Sequence, residues 1–235
     1  MNFPAETLRF LRALKRNNRR EWFEAHRGDY EAYVRQPMTA MVERLAVDLR
    51  AFAPEQVASP KVSIHRIYRD TRFSDNKTPY KSHLAARFPP RALPKGEGAG
   101  LYFHVAPDGV WIGGGMYAPQ PRELYAIREH LSTHLKQFRA IVESPAFKKH
   151  LGTLEGDKLQ RVPRGFPREH PAAEFLKFRQ FIGGAEFPAS LATSPAFYRT
   201  LLTVFRQVTP LARFLNAPLL KGSHDHRSRE GDGRD

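Results

Sequence analysis

Cysteine is absent from all 235 residues, which excludes a disulfide framework, a thiol nucleophile and any Cys-based zinc or iron–sulfur site. Long apolar runs are missing too: none approaches the length of a membrane span. The opening segment, Met1-Asn2-Phe3-Pro4-Ala5-Glu6-Thr7-Leu8, lacks the basic-then-apolar layout of a signal peptide, so the expected location is the cytoplasm, with no membrane partner. Acid is in short supply. Lys and Arg number 38 against 24 Asp and Glu, a formal net charge of +14. From Lys221 onward four cations face four carboxylates, so the whole excess lies in residues 1–220. A basic body suits polyanionic partners: nucleic acid, phosphorylated metabolites or acidic membrane surfaces. Arg outnumbers Lys 27 to 11, a bias that GC-rich coding can produce by itself, so charge alone does not establish a partner.

What is present is an ordinary globular composition, 41% apolar and 26% charged, in a chain long enough to bury a substantial core. Helical period dominates residues 4–52. Leu8, Leu11 and Leu14 share a face, and Asn17-Asn18 closes that helix. Asn18 is placed to cap a second one, with Glu21 as its capping-box partner. Pro37 suits the first turn of a third helix carrying Met38, Met41, Val42, Leu45, Leu49 and Phe52 as one stripe. The period then changes to two. Val62 and Ile64, Leu84 to Phe88, Leu101 to Val105, and Val110 with Ile112 read as four strands, the last two a hairpin across Pro107-Asp108-Gly109. Residues 91–100 read as a mobile loop. Helical period returns at Pro121, with Leu124, Ile127, Leu131, Leu135 and Phe138 on one face. Ser144-Pro145 and Ser194-Pro195 give further helix starts, and Pro163, Pro167 and Pro171 mark an extended connector. The pattern predicts an α+β fold: N-terminal helices, a central, mainly antiparallel sheet and C-terminal helices packed on it. It occupies one domain over residues 1–220 (helical 4–52, sheet-rich 60–117, helical 121–218), followed by a disordered tail over 221–235.

The densest chemistry lies in Arg66-Ile67-Tyr68-Arg69-Asp70-Thr71-Arg72-Phe73-Ser74-Asp75-Asn76-Lys77-Thr78-Pro79-Tyr80-Lys81. Arg and Lys here can converge on an anion while Tyr68, Phe73 and Tyr80 hold the backbone. Alternation places Arg66 on the face of Val62 and Ile64, where a guanidinium needs a carboxylate or a bound anion. Two outcomes stay open. One is an internal Arg66–Asp70 or Arg69–Asp75 network that locks the turn. The other is an anion pocket in which Arg66, Arg69, Arg72, Lys77 and Lys81 donate while Asp70 and Asp75 orient them.

The spaced set Arg66, Arg69, Asp70, Arg72, Phe73, Asn76, Lys77 and Tyr80 resembles the signature of the DUF2461 family. Asn17-Asn18-Arg19-Arg20-Glu21-Trp22-Phe23, Gly113-Gly114-Gly115-Met116-Tyr117-Ala118-Pro119 and Phe175-Leu176-Lys177 are similar to other blocks of the same family. The resemblance spans roughly residues 3–218. It implies no particular reaction, cofactor or catalytic residue.

Gly113-Gly114-Gly115 follows a strand and precedes the helix opened by Pro121. Such a run can cradle a phosphate, or it can mark a β-bulge or close strand packing. Asp70 with Asp75-Asn76-Lys77 is spaced somewhat like a metal-dependent nuclease site, although the Arg density opposes a cation. His65, His83 and His104 fall on or beside strands, as metal ligands or as hydrogen-bonded sheet residues. The expected function is binding of a phosphate-bearing small molecule or nucleotide by Arg66, Arg69, Asp70, Arg72, Asp75, Lys77, Tyr80 and Lys81, edged by Gly113, Gly114 and Gly115. The alternatives are a non-enzymatic nucleic-acid-binding protein, or a purely structural ion-pair network. Cofactor, oligomeric state and any catalytic activity are not specified by the sequence.

Overall fold

A computed structural model describes residues 1–72 and 74–230, with side chains as far as Lys221. Helices at both ends flank a central four-stranded antiparallel sheet, which is the expected α+β arrangement. The strands are β1 (Leu84–Phe88), β2 (Gly100–Val105), β3 (Gly109–Met116) and β4 (Phe181–Pro188), in the order β1-β2-β3-β4. Ala106 N donates to Gly109 O at 2.8 Å and closes the β2–β3 hairpin. The chain gathers into two compact units. One comprises residues 1–88, 102–112 and 186–203; the other comprises 89–101, 113–185 and 204–235.

In the first unit, α1 (Ala5–Arg16) buries Leu8, Phe10, Leu11 and Leu14 at helical spacing. Next come α2 (Arg20–Ala25), α3 (Arg27–Tyr30), a π-helical turn (Glu31–Arg35) and α4 (Gln36–Asp48), which has Pro37 in its first turn. Met38, Met41, Val42 and Leu45 of α4 are buried, each such side chain stabilising by ~1.5–3 kcal/mol through lost apolar surface. Phe197 closes this core, 5.4 Å from the Phe3 ring and 6.1 Å from Phe103. The strand expected at Val62–Ile64 is instead a single helical turn, α5 (Pro60–Ser63). Ser59 accepts from Val62 N at its start, and Pro60 fits the first turn. Pro and a Ser cap outweigh two β-branched residues here, and Val62 is left 54% exposed.

In the second unit, Phe138 sits between Phe175, Phe181 and Phe214 at ring distances of 5.1, 6.3 and 5.0 Å. The helical pattern after Pro121 breaks at His134 into α6 (Pro121–Thr133) and α7 (Leu135–Val142). Then follow α8 (Pro145–Leu151), capped by Ser144, and α9 (Ala173–Leu176). The expected mobile loop at 91–100 is tied down. Gly98 N donates to Glu123 Oε1 at 2.8 Å, and Ala99 exchanges two hydrogen bonds with the Asn216 side chain, at 2.7 and 2.9 Å. Leu93 and Ala99 are buried. β4 had no counterpart in the sequence pattern, because Gly183 and Gly184 break its alternation. Gly183 has a packing reason, since a Cβ there would lie 2.9 Å from the Phe147 ring.

The last helix, α10, runs Phe197–Glu230 and begins in the first unit. The disordered tail expected over 221–235 falls on its end and on residues 231–235, which lie outside the described residues. Among the described residues, no helix is long and apolar enough to cross a membrane.

Candidate anion-binding face

Residues 64–81 form an irregular ribbon on the free side of β1. Ile64 pairs with Ala86 as an antiparallel bridge, and His65 N donates to Ala85 O at 2.9 Å. Further along, Tyr68 pairs with Tyr80. Arg69 N donates to Pro79 O and Lys81 N to Ile67 O, at 2.9 and 2.8 Å. Buried Ile67 and Tyr80 root this loop. The Tyr80 ring stacks on Phe23 of α2 at 4.2 Å. Asn18 makes no cap for α2; its side chain reaches the Tyr80 main chain instead.

Local bonds shape the loop tip. Asn76 Oδ1 accepts from Thr78 N and Thr78 Oγ1 at 3.0 and 2.7 Å, an Asx turn. Lys77 Nζ donates to Thr71 O at 3.0 Å. Arg72 grips Asp70 with Nε and Nη2 at 3.0 and 2.8 Å, and this contact holds the Asp70 carboxyl down at about 2. Neither expected ion pair forms: Asp70 belongs to Arg72, and Arg69 donates to the Thr78 and Ser74 hydroxyls. Asp75 is exposed. Phe73, expected to brace the loop, lies outside the described residues.

Arg66 departs most from expectation. With Val62 in a helical turn, the alternation that aimed Arg66 at the core does not exist, and its side chain is exposed. Among the described residues, no carboxylate lies within ion-pairing distance of Arg66, Arg69, Lys77 or Lys81. Burial, and then the charges of Arg66 and Arg69, push the Lys81 ammonium below its usual range. Three cations therefore act on one region, and the nearest acid that feels their charge, Asp70, is already gripped by Arg72.

A row of rings continues from these cations across the same unit. Lys81, His83, Ala85 and Arg87 alternate with the buried Leu84, Ala86 and Phe88. On β2, half-buried Tyr102 and His104 alternate with buried Leu101, Phe103 and Val105; on β3, Trp111 stands between buried Val110 and Ile112. The His65 ring lies 5.9 Å from Tyr102, and His83 lies 5.5 Å from His104. Tyr102 lies 5.7 Å from His104 and 5.8 Å from Trp111. His104 and Trp111 are nearly parallel at 6.5 Å.

Burial lowers all three imidazole pKa values. His83 falls furthest, to about 4, because His104, Lys81, His65 and Arg69 add to its desolvation. Beyond Trp111 an open groove of about 450 Å³ is lined by His104, Asp108, Trp111, Glu186 and Phe187, among others. Lys15 holds Asp108 at 3.1 Å. The aromatic row was readable only as period-two alternation in β2 and β3; that the rings join the cations required the bridge pairing of residues 64–65 with β1.

Gly113, Gly114 and Gly115 lie within β3, not in a loop after it. In the second unit, a Cβ on Gly114 would stand 2.5 Å from Gly100 O, and one on Gly115 2.1 Å from Phe181 O, where φ is +120°. Close backbone approach accounts for both residues. Among the described residues, no group of three or more His, Asp or Glu is arranged to hold a metal ion.

A family model described as "Conserved hypothetical protein (DUF2461)" matches residues 6–214 of the chain. No curated protein and no solved structure matches it.

Proposed function

We propose that this chain, which belongs to the DUF2461 family of conserved hypothetical proteins, binds a phosphate-bearing small molecule or nucleotide on the face where Arg66, Arg69 and Lys81 meet. The observation that carries this reading is the pairing that sets three cations on one ribbon: Lys81 N donates to Ile67 O beside Arg66, and Arg69 N donates to Pro79 O. Among the described residues no carboxylate lies in ion-pairing range of the three, and the lowered Lys81 ammonium agrees with this. Like charges held together cost free energy in the unliganded protein, and a phosphate relieves that cost while accepting charge-assisted hydrogen bonds. Arg66 and Lys81 are the principal phosphate ligands. Arg69 contributes charge while its guanidinium is steadied by Thr78 and Ser74. Asp70 and Arg72 satisfy each other and shape the loop tip.

A second reading is nucleic-acid binding, favoured by the open groove beside His104 and Trp111 and by the net charge of +14. The test is calorimetric titration with inorganic phosphate, polyphosphate and nucleoside triphosphates, repeated with Arg66→Ala and Lys81→Ala. Each substitution removes a charge-assisted bond and is expected to weaken binding about tenfold, the equivalent of ~1.4 kcal/mol. Absence of binding by any phosphate compound at low salt would overturn the proposal, and so would full affinity in both variants.

A further inference from the structure

We infer that this face, beyond single phosphate compounds, takes single-stranded nucleic acid, its backbone running along the cations and its bases lying on the ring row; this rests on the reading that Arg66, Arg69 and Lys81 hold phosphate. Small phosphate compounds need only the three cations. The structure offers more than that: Tyr102 and Trp111 5.8 Å apart on neighbouring strands, joined through His104 and extended by His65 and His83. All of these stand on the side of the sheet opposite the buried Phe103, Val105, Val110 and Ile112. A fold does not spend two large aromatics on its solvent side for core packing, and half-exposed rings on adjacent strands present flat π-faces to unstacked bases. Neighbouring strands stand about 4.8 Å apart, so rings on β2 and β3 offer successive surfaces across the sheet.

Polarity follows the same line. Cations gather at the β1 side, through Arg66, Arg69 and Lys81, and the groove beyond Trp111 carries Glu186 beside Asp108, which Lys15 holds at 3.1 Å. Carboxylates repel phosphate but accept hydrogen bonds from exocyclic amino groups of bases. The arrangement therefore sends backbone to one side and base edges to the other. Duplex fits poorly, because its bases are stacked on one another and unavailable to the rings.

The experiment is fluorescence anisotropy with a labelled single strand of about twelve nucleotides, a length within the ~4–16-nucleotide sites of sheet-based single-strand binders. It is run beside an abasic strand and a polyphosphate of equal charge and a duplex of equal length. Stacking contributes ~1–3 kcal/mol per base, so the base-bearing strand is expected to bind about tenfold or more tighter than the abasic one. Trp111→Leu should erase that advantage, Trp111→Phe should keep most of it, and Tyr102→Leu gives an independent check should Trp111→Leu fold poorly. Equal affinity for abasic and base-bearing strands, tighter duplex binding, or an advantage that survives both Leu variants would overturn the inference. Polyphosphate binding that depends on Arg66 would meanwhile leave the phosphate-binding reading standing. Loss of all binding, polyphosphate included, would sink both.

Discussion

Asn18 and Tyr80, 62 residues apart, close a reciprocal pair of hydrogen bonds: Asn18 Nδ2 donates to Tyr80 O at 2.9 Å, and Tyr80 N donates to Asn18 Oδ1 at 3.0 Å. A side-chain amide thus pairs with one residue's main chain as a neighbouring strand would, and pins the base of the cationic loop to the junction of α1 and α2. Asn18→Ala orphans a carbonyl and an amide beside the buried Tyr80 ring, and is expected to cost about 1–3 kcal/mol. The check is the midpoint of urea unfolding, which should fall at unchanged slope. A shift under ~0.5 kcal/mol, typical of unremarkable surface sites, would show that the stack on Phe23 holds the loop unaided.

The same pair shows what could be read in advance. Asn17-Asn18 marked the end of α1 correctly, because main-chain termination is local, and Asn17 N does bond Ala13 O. Where the Asn18 side chain goes is a long-range fact, and the local capping rule pointed it the wrong way. β1, β2 and β3 were legible from period-two alternation of Leu84 to Phe88, Leu101 to Val105 and Val110 to Ile112. β4 was not, since Gly183 answers to the Phe147 ring rather than to a strand pattern. The cations of residues 66–81 were legible as a cluster, but Arg66 was aimed inward by an alternation that Ser59 and Pro60 had already broken. Rings on β2 and β3 join that cluster only through sheet pairing, which no window of the chain contains.

Arg66→Ala, Arg69→Ala and Lys77→Ala should separate charge from scaffolding. Arg66 is exposed and makes no side-chain hydrogen bond among the described residues, so its loss is expected to move stability by less than ~0.5 kcal/mol while weakening phosphate binding. Loss of Arg69 frees the Thr78 and Ser74 hydroxyls and should cost about 1 kcal/mol of stability in addition to affinity. Lys77 holds Thr71 O at the loop tip and should show the smallest loss of affinity. On a single strand, each lost phosphate contact lowers the slope of log affinity against log salt by about 0.7. A slope unchanged in Arg66→Ala would remove that residue from the site.

Acid should loosen the first unit through its histidines. The native pKa of His83 is lowered to about 4 from an ordinary 6.5 by burial and by His104, Lys81, His65 and Arg69. Between those values the unfolded chain binds a proton that the folded chain refuses, so unfolding draws protons in and stability falls as pH drops from 6.5 towards 4. Above 6.5 both states are neutral at this residue and its contribution is constant. His83→Asn removes the titration and should flatten that part of the pH–stability curve. A curve equally steep with and without His83 would place the acid sensitivity elsewhere.

Gly114→Val tests whether the glycine run serves a ligand or the sheet. A Cβ at position 114 meets Gly100 O at 2.5 Å and Leu101 Cα at 3.1 Å. Backbone of a paired strand cannot move aside as a flexible side chain can, so overpacking of ~1–3 kcal/mol or more is expected. Gly115→Ala should be at least as damaging, because φ of +120° is strained for any L side chain and Phe181 O stands only 2.1 Å from the new Cβ; such backbone strain alone costs ~1–3 kcal/mol. Both variants should therefore show lowered thermal midpoints with or without ligand, and whatever folded protein remains should keep its phosphate affinity, since Arg66, Arg69 and Lys81 are untouched. A Gly114→Val protein of full stability that no longer binds phosphate would reverse this and make the run a phosphate cradle.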